Sequence, residues 1–287
     1  MKIVMLGLPA TGKTSFGVAL FGGLSNHAID GMELRGVHDP VHVLNEGLKH
    51  LSRREPVLRS DHEGVETISL TVALEDGSEH SLFIPDRSGE SLRGTIKTRA
   101  WHVELLAELR DADAMMIFLD PDGLRVGGSA EEVAELLDDT GGDDEADEAR
   151  EVNERGEEEE TPSRWKAGMM PTDVRMVDAL QEIRDATDGE PCPIAVVASA
   201  WDSIADMTPA EWLSVRVPLL HQFLEADQNG YSYRTFGISA QGEKFTPNEV
   251  VTDPDEPDPW DRAWAVDGAG ERVSLAAPLI WLLGSGP

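Results

Sequence analysis

Near the start of the chain an apolar run, Lys2-Ile-Val-Met-Leu-Gly7, leads without a break into Gly7-Leu-Pro-Ala-Thr-Gly12-Lys13-Thr14. A strand that ends in G-x4-G-K-T and continues as a helix leaves few choices of fold. The glycines let consecutive backbone N–H groups curl around a phosphate. Lys13 brings a mobile positive charge, and the Thr14 hydroxyl is an oxygen donor suited to Mg2+. The following helix, expected from Ser15 to about Leu24, turns its positive end to the same place. Gly7, Leu8, Pro9, Ala10, Thr11, Gly12, Lys13, Thr14 and Ser15 are therefore expected to cradle the phosphates of a nucleotide.

Beyond this loop, strand-like and helix-like segments alternate, which predicts an α/β architecture with a largely parallel sheet. Val41–Leu51 reads as a short helix. Thr67–Leu74 and His80–Pro85 alternate apolar and polar residues around the turn Glu75-Asp-Gly-Ser78, a hairpin signal. Ser91–Arg110 reads as a helix, and the continuous apolar run Ala114–Leu119 as a central strand buried on both faces. Thr172–Arg184 has helical periodicity, and Pro193–Ala198 is a second buried strand. Thr208-Pro-Ala-Glu211 is a capping box expected to open a helix reaching about Ala226. Tyr233–Ile238 is expected as the last strand and Leu275–Leu283 as a closing helix.

Composition limits the partners. The formal net charge is −31, which repels nucleic acid and anionic membrane surfaces. Between Glu131 and Glu160 sixteen acidic residues face only Arg150 and Arg155, close to half of the imbalance. The stretch 127–163 cannot bury enough apolar surface to offset its ordering entropy, so the chain is expected to be one domain, 1–287, with a disordered acidic insertion. A single cysteine, Cys192, excludes an intramolecular disulfide and fits a reducing compartment. No apolar stretch is long enough to span a bilayer. The first strand begins at Lys2 and leaves no room for a signal peptide, so a cytoplasmic location is expected. Thr252–Pro259 is acidic but held extended by prolines, and lacks the glycine turn of a calcium loop. His38 and His42 are the nearest approach to a metal pair, without a fitting context.

Three later motifs fall at the ends of predicted strands. Leu82–Pro85 ends in Asp86-Arg-Ser-Gly89, where the aspartate can reach a Mg2+ shell through water and the glycine N–H can meet a γ-phosphate. Val196–Ala198 runs into Ser199-Ala-Trp-Asp202. The Asp202 carboxylate can accept both N–H groups on the Watson–Crick edge of guanine, a donor pair that adenine lacks. The strand Tyr233–Ile238 ends in Ser239-Ala240, whose backbone N–H can meet the guanine carbonyl. These are the carboxyl ends of strands, where open α/β sheets bind ligands.

In this order and on these elements, the motifs resemble the Ras-like and translation-factor-like (TRAFAC) P-loop GTPases over nearly the whole chain. The loop G-L-P-A-T-G-K-T, the long insert before the second strand, Pro171-Thr-Asp-Val174 and Ser-x-Trp-Asp202 are similar to bacterial double-GTPase-type domains of conflict and defence systems. The resemblance implies a P-loop NTPase three-layer sandwich with helices on both faces, binding GTP or GDP with Mg2+ and switching between the two states. It implies metal organisation by Thr14, Asp86 and a switch residue, for which Ser60 is favoured over Thr67, and protein partners at the switches or the acidic insertion. The departures are specific. Ser199 and Ala200 stand where the family carries Asn and Lys, which removes the lysine stem from one face of the base and leaves Trp201 either as its substitute or as a core residue. Glu90 stands where many of these proteins carry a water-orienting glutamine, and its charge beside a phosphate predicts slow hydrolysis. Arg59 is the candidate for an arginine finger in cis. The alternative reading is a nucleotide-dependent interaction module that does not hydrolyse, and a P-loop kinase lacks a recognisable acceptor site.

Overall fold

The computed structural model describes residues 1–38, 41–55, 57, 67–85, 92, 94, 103–125, 170–187, 192–204, 206–226, 229–243 and 257–284. In chain order the elements are β1 (Lys2–Gly7), α1 (Lys13–Ser25), β2 (Met32–His38), α2 (Val41–Ser52), β3 (Thr67–Leu74), β4 (Glu79–Pro85) and α3 (Val103–Arg110). There follow β5 (Ala114–Leu119), α4 (Thr172–Ala186), β6 (Ile194–Ala198), α5 (Pro209–Arg216), α6 (Pro218–Glu225), β7 (Tyr233–Ser239), α7 (Pro259–Arg262), β8 (Trp264–Val266), β9 (Arg272–Val273) and α8 (Ala277–Gly284). A one-turn 3-10 helix, Trp201–Ser203, lies between β6 and α5.

Among the described residues the strands form one nine-stranded sheet in the order β2-β3-β4-β1-β5-β6-β7-β8-β9. β5 and β6 are buried along their whole length, as their unbroken apolar sequences require. Successive side chains point to opposite faces. Ile3, Met5, Met116, Phe118 and Val197 pack with α1, α2 and α8, while Val4, Leu6, Ile117, Val196 and Ala198 pack with α3, α4, α5 and α6. Helices thus cover both faces, and each fully buried large side chain contributes about 1.5–3 kcal/mol.

The expectation of a mostly parallel sheet is corrected: the sheet is mixed. β1 pairs in parallel with β4 and β5, as do β5 with β6 and β6 with β7. On one side β2 pairs with β3 and β3 with β4 in antiparallel fashion, and on the other β7 with β8 and β8 with β9 do the same. Parallel neighbours need long crossovers, whereas β3–β4 and β8–β9 are joined by short turns; residues 39–66, with α2, separate β2 from β3, and residues 240–263, with α7, separate β7 from β8. The turn after β3 is closed by Gly77 N–H donating to the Leu74 carbonyl at 2.9 Å, with Gly77 at φ 81°. β2, β8 and β9 were not singled out from the sequence. β2 interleaves charged residues with apolar ones, and β8 and β9 are short.

Two further expectations change. β7 is not the last strand, because β8 and β9 extend the sheet past it. The helix after Thr208 is capped as expected, with Thr208 Oγ1 accepting from Glu211 N–H at 3.3 Å and Glu211 Oε2 from Thr208 N–H at 2.9 Å. It breaks at Val217, because Pro218 lacks an N–H and its ring clashes with the preceding turn. Of the helix expected over Ser91–Arg110, Leu92, Gly94 and Val103–Arg110 are described and helical. Thr172 N–H donates to the Arg125 carbonyl at 2.8 Å, and Arg125 N–H to Thr172 Oγ1 at 2.9 Å, so the start of α4 is fastened just beyond β5. The insertion expected at 127–163 lies outside the described residues. Among the described residues no helix is long and apolar enough to cross a membrane.

Candidate nucleotide-binding site

The carboxyl ends of β1, β5, β6 and β7 lie side by side at one edge of the sheet. At the end of β1 the backbone turns away at Gly7 with φ 154°, where a Cβ would lie 2.6 Å from the Phe118 carbonyl oxygen and 2.7 Å from Thr11 Oγ1. Only a residue without a side chain lets β1 pass so close to β5 and to its own loop. Gly12 enters α1 at φ 79°, and a Cβ there would lie 3.1 Å from Ser199 Cβ. Ala10, at φ 64°, adopts the same left-handed region without being glycine. Such a conformation costs about 1–2 kcal/mol, so the loop is held strained at its tip.

The Lys13 side chain folds back over this loop. Its Nζ donates to the Gly7 carbonyl at 2.9 Å, the Leu8 carbonyl at 2.9 Å and Thr11 Oγ1 at 3.2 Å, and the residue is 6% exposed. The Thr11 hydroxyl in turn donates to the Leu8 carbonyl at 2.9 Å. The ammonium is therefore pre-positioned inside the loop by the loop's own oxygens. Thr14 is half-buried one residue further along α1.

A cleft of about 320 Å³ runs from this loop to the ends of β6 and β7. Ala10, Gly12 and Ser15 line it at the loop end, and Ser199, Ala200 and Asp202 line it where β6 ends. Ala240, Gln241 and Glu243 line it beyond β7. Ser199 is fixed by its Oγ and N–H, which donate to the Leu119 carbonyl at 3.1 and 2.9 Å. Ser239 is fully buried, and its Oγ accepts from Gly242 N–H at 3.0 Å, which shapes the turn carrying Ala240. Gly7, Leu8, Pro9, Thr11, Lys13 and Thr14 belong to the loop and helix start without lining the cleft.

A family model, Double-GTPase 1, matches residues 4–282. The chain belongs to the Double-GTPase 1 family. The match covers almost the whole chain, and with it the P-loop and every element that lines the cleft. Among solved structures, the chain is similar to the signal recognition particle receptor SRb-GTP/SRX complex from Chaetomium thermophilum. That likeness has 12% identity and a TM-score of 0.37, covering 95% of this chain and 98% of that one. It is also similar to the cytosolic domain of the T. maritima FeoB iron transporter in GMPPNP form. There the identity is 11% and the TM-score 0.32, covering 85% of this chain and 59% of that one. At such identities and scores neither likeness carries an argument about this chain. No curated protein matches it.

The Double-GTPase 1 cleft contains residues that the sequence reading did not single out. Asp120 and Asp122 follow β5 and line it, as do Phe16 and Phe118, whose ring centroids are 5.5 Å apart. Burial pushes the Asp120 carboxyl above the ordinary aspartate range, and the Asp122 N–H donating to its Oδ1 at 3.1 Å works against that. An acid directly after a buried strand, at the same sheet edge as the P-loop, was the available signal.

Trp201 does not cover a base. It is 4% exposed, lies over the backbone of Gly237 and meets Trp212 edge-on with centroids 6.2 Å apart. Its role is to anchor the turn that carries Asp202. Arg59, Ser60, Asp86, Gly89 and Glu90 lie outside the described residues, and Thr67 opens β3.

Proposed function

We propose that the chain binds GTP and GDP in this cleft and hydrolyses GTP slowly, acting as a molecular switch. The observation that carries the reading is the single cleft that joins the Lys13 loop to Asp202 and Ala240, the two ends a guanine nucleotide requires. In this reading the backbone amides of residues 7–15 and Lys13 bind the phosphates, and the Asp202 carboxylate accepts from the guanine edge. The Ala240 N–H donates to the guanine carbonyl, and Ser199 holds the β6 end against the loop. Thr14 offers a hydroxyl oxygen at the start of α1, a donor type that fits Mg2+, with Asp86 and Ser60 as the other expected donors. The metal, when bound, neutralises charge between the phosphates. Glu90 beside the γ-phosphate and Arg59 as a finger in cis complete the proposed chemistry. Protein partners at the switches or the acidic insertion, a role in bacterial defence and a cytoplasmic setting belong to the same proposal.

Calorimetry with GDP, GTP and ATP in the presence of Mg2+ tests the binding, and release of phosphate over several turnovers tests the hydrolysis. Binding of GDP that is lost in a folded Lys13→Ala variant supports the reading. Equal affinity for ATP and GTP refutes guanine selection. Tight GTP binding with no phosphate release in single- or multiple-turnover assays favours the non-hydrolysing interaction module, to which the missing base-motif lysine also points.

A further inference from the structure

The wall of the cleft beyond β7 is gripped from outside. α2 ends in a turn where Arg54 N–H donates to the Leu51 carbonyl at 3.1 Å and Glu55 N–H to the His50 carbonyl at 2.9 Å. These bonds hold Arg54 in the left-handed region at φ 55°, which an arginine adopts only when its surroundings impose it. From there its guanidinium forms an ion pair with Glu243, a residue that lines the cleft. The same Leu51 carbonyl accepts from Arg262 Nη2 at 2.8 Å, which ties α7 to the end of α2. The Arg262 backbone in turn presses on the wall, since a Cβ at Gly242 would lie 2.6 Å from the Arg262 carbonyl oxygen. Finally, Trp264 Nε1 donates to the Gly242 carbonyl at 2.9 Å. The segment Ala240–Glu243 is thus fixed by β8 on one side and by the end of α2 on the other.

Resting on the guanine-nucleotide reading, we infer that Arg54 is a positioning residue for the base half of the cleft, acting through its ion pair with Glu243. The pair links the end of α2, which leads towards the expected switch residues, to the turn that would meet the guanine carbonyl. Its two side chains are 24% and 57% exposed, so the pair alone is a modest energetic element. Its effect lies in where it holds the wall. A second consequence concerns charge. Asp120, Asp122, Asp202 and Glu243 all line the cleft, and Arg54 balances the carboxylate at its outer rim.

Affinities for GDP and for inorganic pyrophosphate, measured with Mg2+ on wild type, R54A, E243Q, the double variant and R54K, test this. The expected result is a loss of about fivefold in GDP affinity in each of R54A and E243Q, with the double variant no worse than the weaker single one, as coupled partners behave. R54K should retain most of the affinity. Pyrophosphate, which reads only the P-loop half, should bind all variants within about twofold of wild type. Additive losses, no loss, an equal loss for pyrophosphate, or weakening in R54A matched by tightening in E243Q would overturn the inference. Hydrogen exchange of the Gly242 amide separates this from a failure of the nucleotide reading. It should speed up about tenfold in R54A even if wild type binds no GDP, and unchanged exchange there sinks the positioning role.

Discussion

Gly237 sits in the middle of β7, away from every recognised motif, and yet it should control the base end of the cleft. A Cβ at this position would lie 2.4 Å from two atoms of the Trp201 indole. Carbon atoms in contact sit about 3.5–4.0 Å apart, so Gly237→Ala forces the ring away by more than an ångström. The ring has no spare room, being 4% exposed and braced edge-on against Trp212, itself 2% exposed. Overpacking of this kind costs about 1–3 kcal/mol. Disrupting the edge-to-face contact adds about 0.5–1.5 kcal/mol. The total, about 2–4 kcal/mol, corresponds to a fall in Tm of roughly 3–7 °C for a chain of this size.

The functional consequence follows from chain geometry. Trp201 begins the 3-10 turn whose next residue is Asp202, and Ala200 before it is held left-handed at φ 46°. Displacing the ring turns the Asp202 carboxylate away from the cleft while leaving the P-loop in place. Thermal melting combined with affinities for GDP and pyrophosphate tests the chain of reasoning. GDP affinity should fall by at least tenfold, roughly the loss of one charge-assisted contact, with pyrophosphate unchanged. A variant that melts within a degree of wild type and binds GDP normally would refute the claim that Trp201 positions Asp202.

Thr11→Val removes the hydroxyl that accepts from Lys13 and donates to the Leu8 carbonyl. It should weaken GDP about five- to twentyfold in calorimetry through a less constrained ammonium, and an unchanged affinity would remove Thr11 from this role. Asp202→Asn exchanges an acceptor for a donor, so it should weaken GTP and improve XTP in competition assays; a variant that keeps its preference for GTP would contradict base reading by Asp202. Burial, and then the nearby N-terminal ammonium, hold His80 below the ordinary histidine range near 6.5. The unfolded chain therefore takes up that proton first, and stability should fall as pH drops from about 7.5 through 6.5 towards the lowered folded value. Urea midpoints across that range should show a shallower slope in His80→Asn, and an identical slope would assign the dependence to other groups.

What the sequence disclosed divides along a physical line. Lys2–Gly7, Ala114–Leu119 and Ile194–Ala198 were legible because strands buried on both faces leave an unbroken apolar record. The turn at Glu75–Ser78 and the Thr208 cap were legible because their chemistry is local. β2, β8 and β9 were not: β2 alternates over only a few residues, and β8 and β9 have three and two residues, too few to leave a pattern even though β8 is paired on both sides and buries Ala265 and Val266. That is why, apart from the β3–β4 hairpin, the antiparallel strands beside the parallel centre were not read. The break at Pro218 could have been anticipated, because proline marks both a first helical position and the end of the helix before it.

The same division runs through the cleft. Its phosphate end is written in one contiguous segment, where loop geometry, lysine and hydroxyl follow each other at fixed spacing. Its base end is assembled from residues far apart in sequence: Asp120 after β5, Asp202 after β6, Glu243 after β7 and Arg54 beyond α2. None of these positions carries a motif strong enough to stand alone, and their chemistry exists only once the strands are in register. Trp201 shows what such a site leaves open to a linear reading. Beside Asp202 the sequence left the indole two roles, cover for a base or core residue, and Gly237 opposite it decides for the core by opening a space in β7 that the ring fills. A glycine inside a buried strand is the trace of that packing, since an interior glycine weakens a strand unless something approaches it closely. On the guanine-nucleotide reading, the lysine missing at Ala200 is thus not replaced by the buried tryptophan, and among the described residues Gln241 and Glu243 stand on the other wall of the cleft.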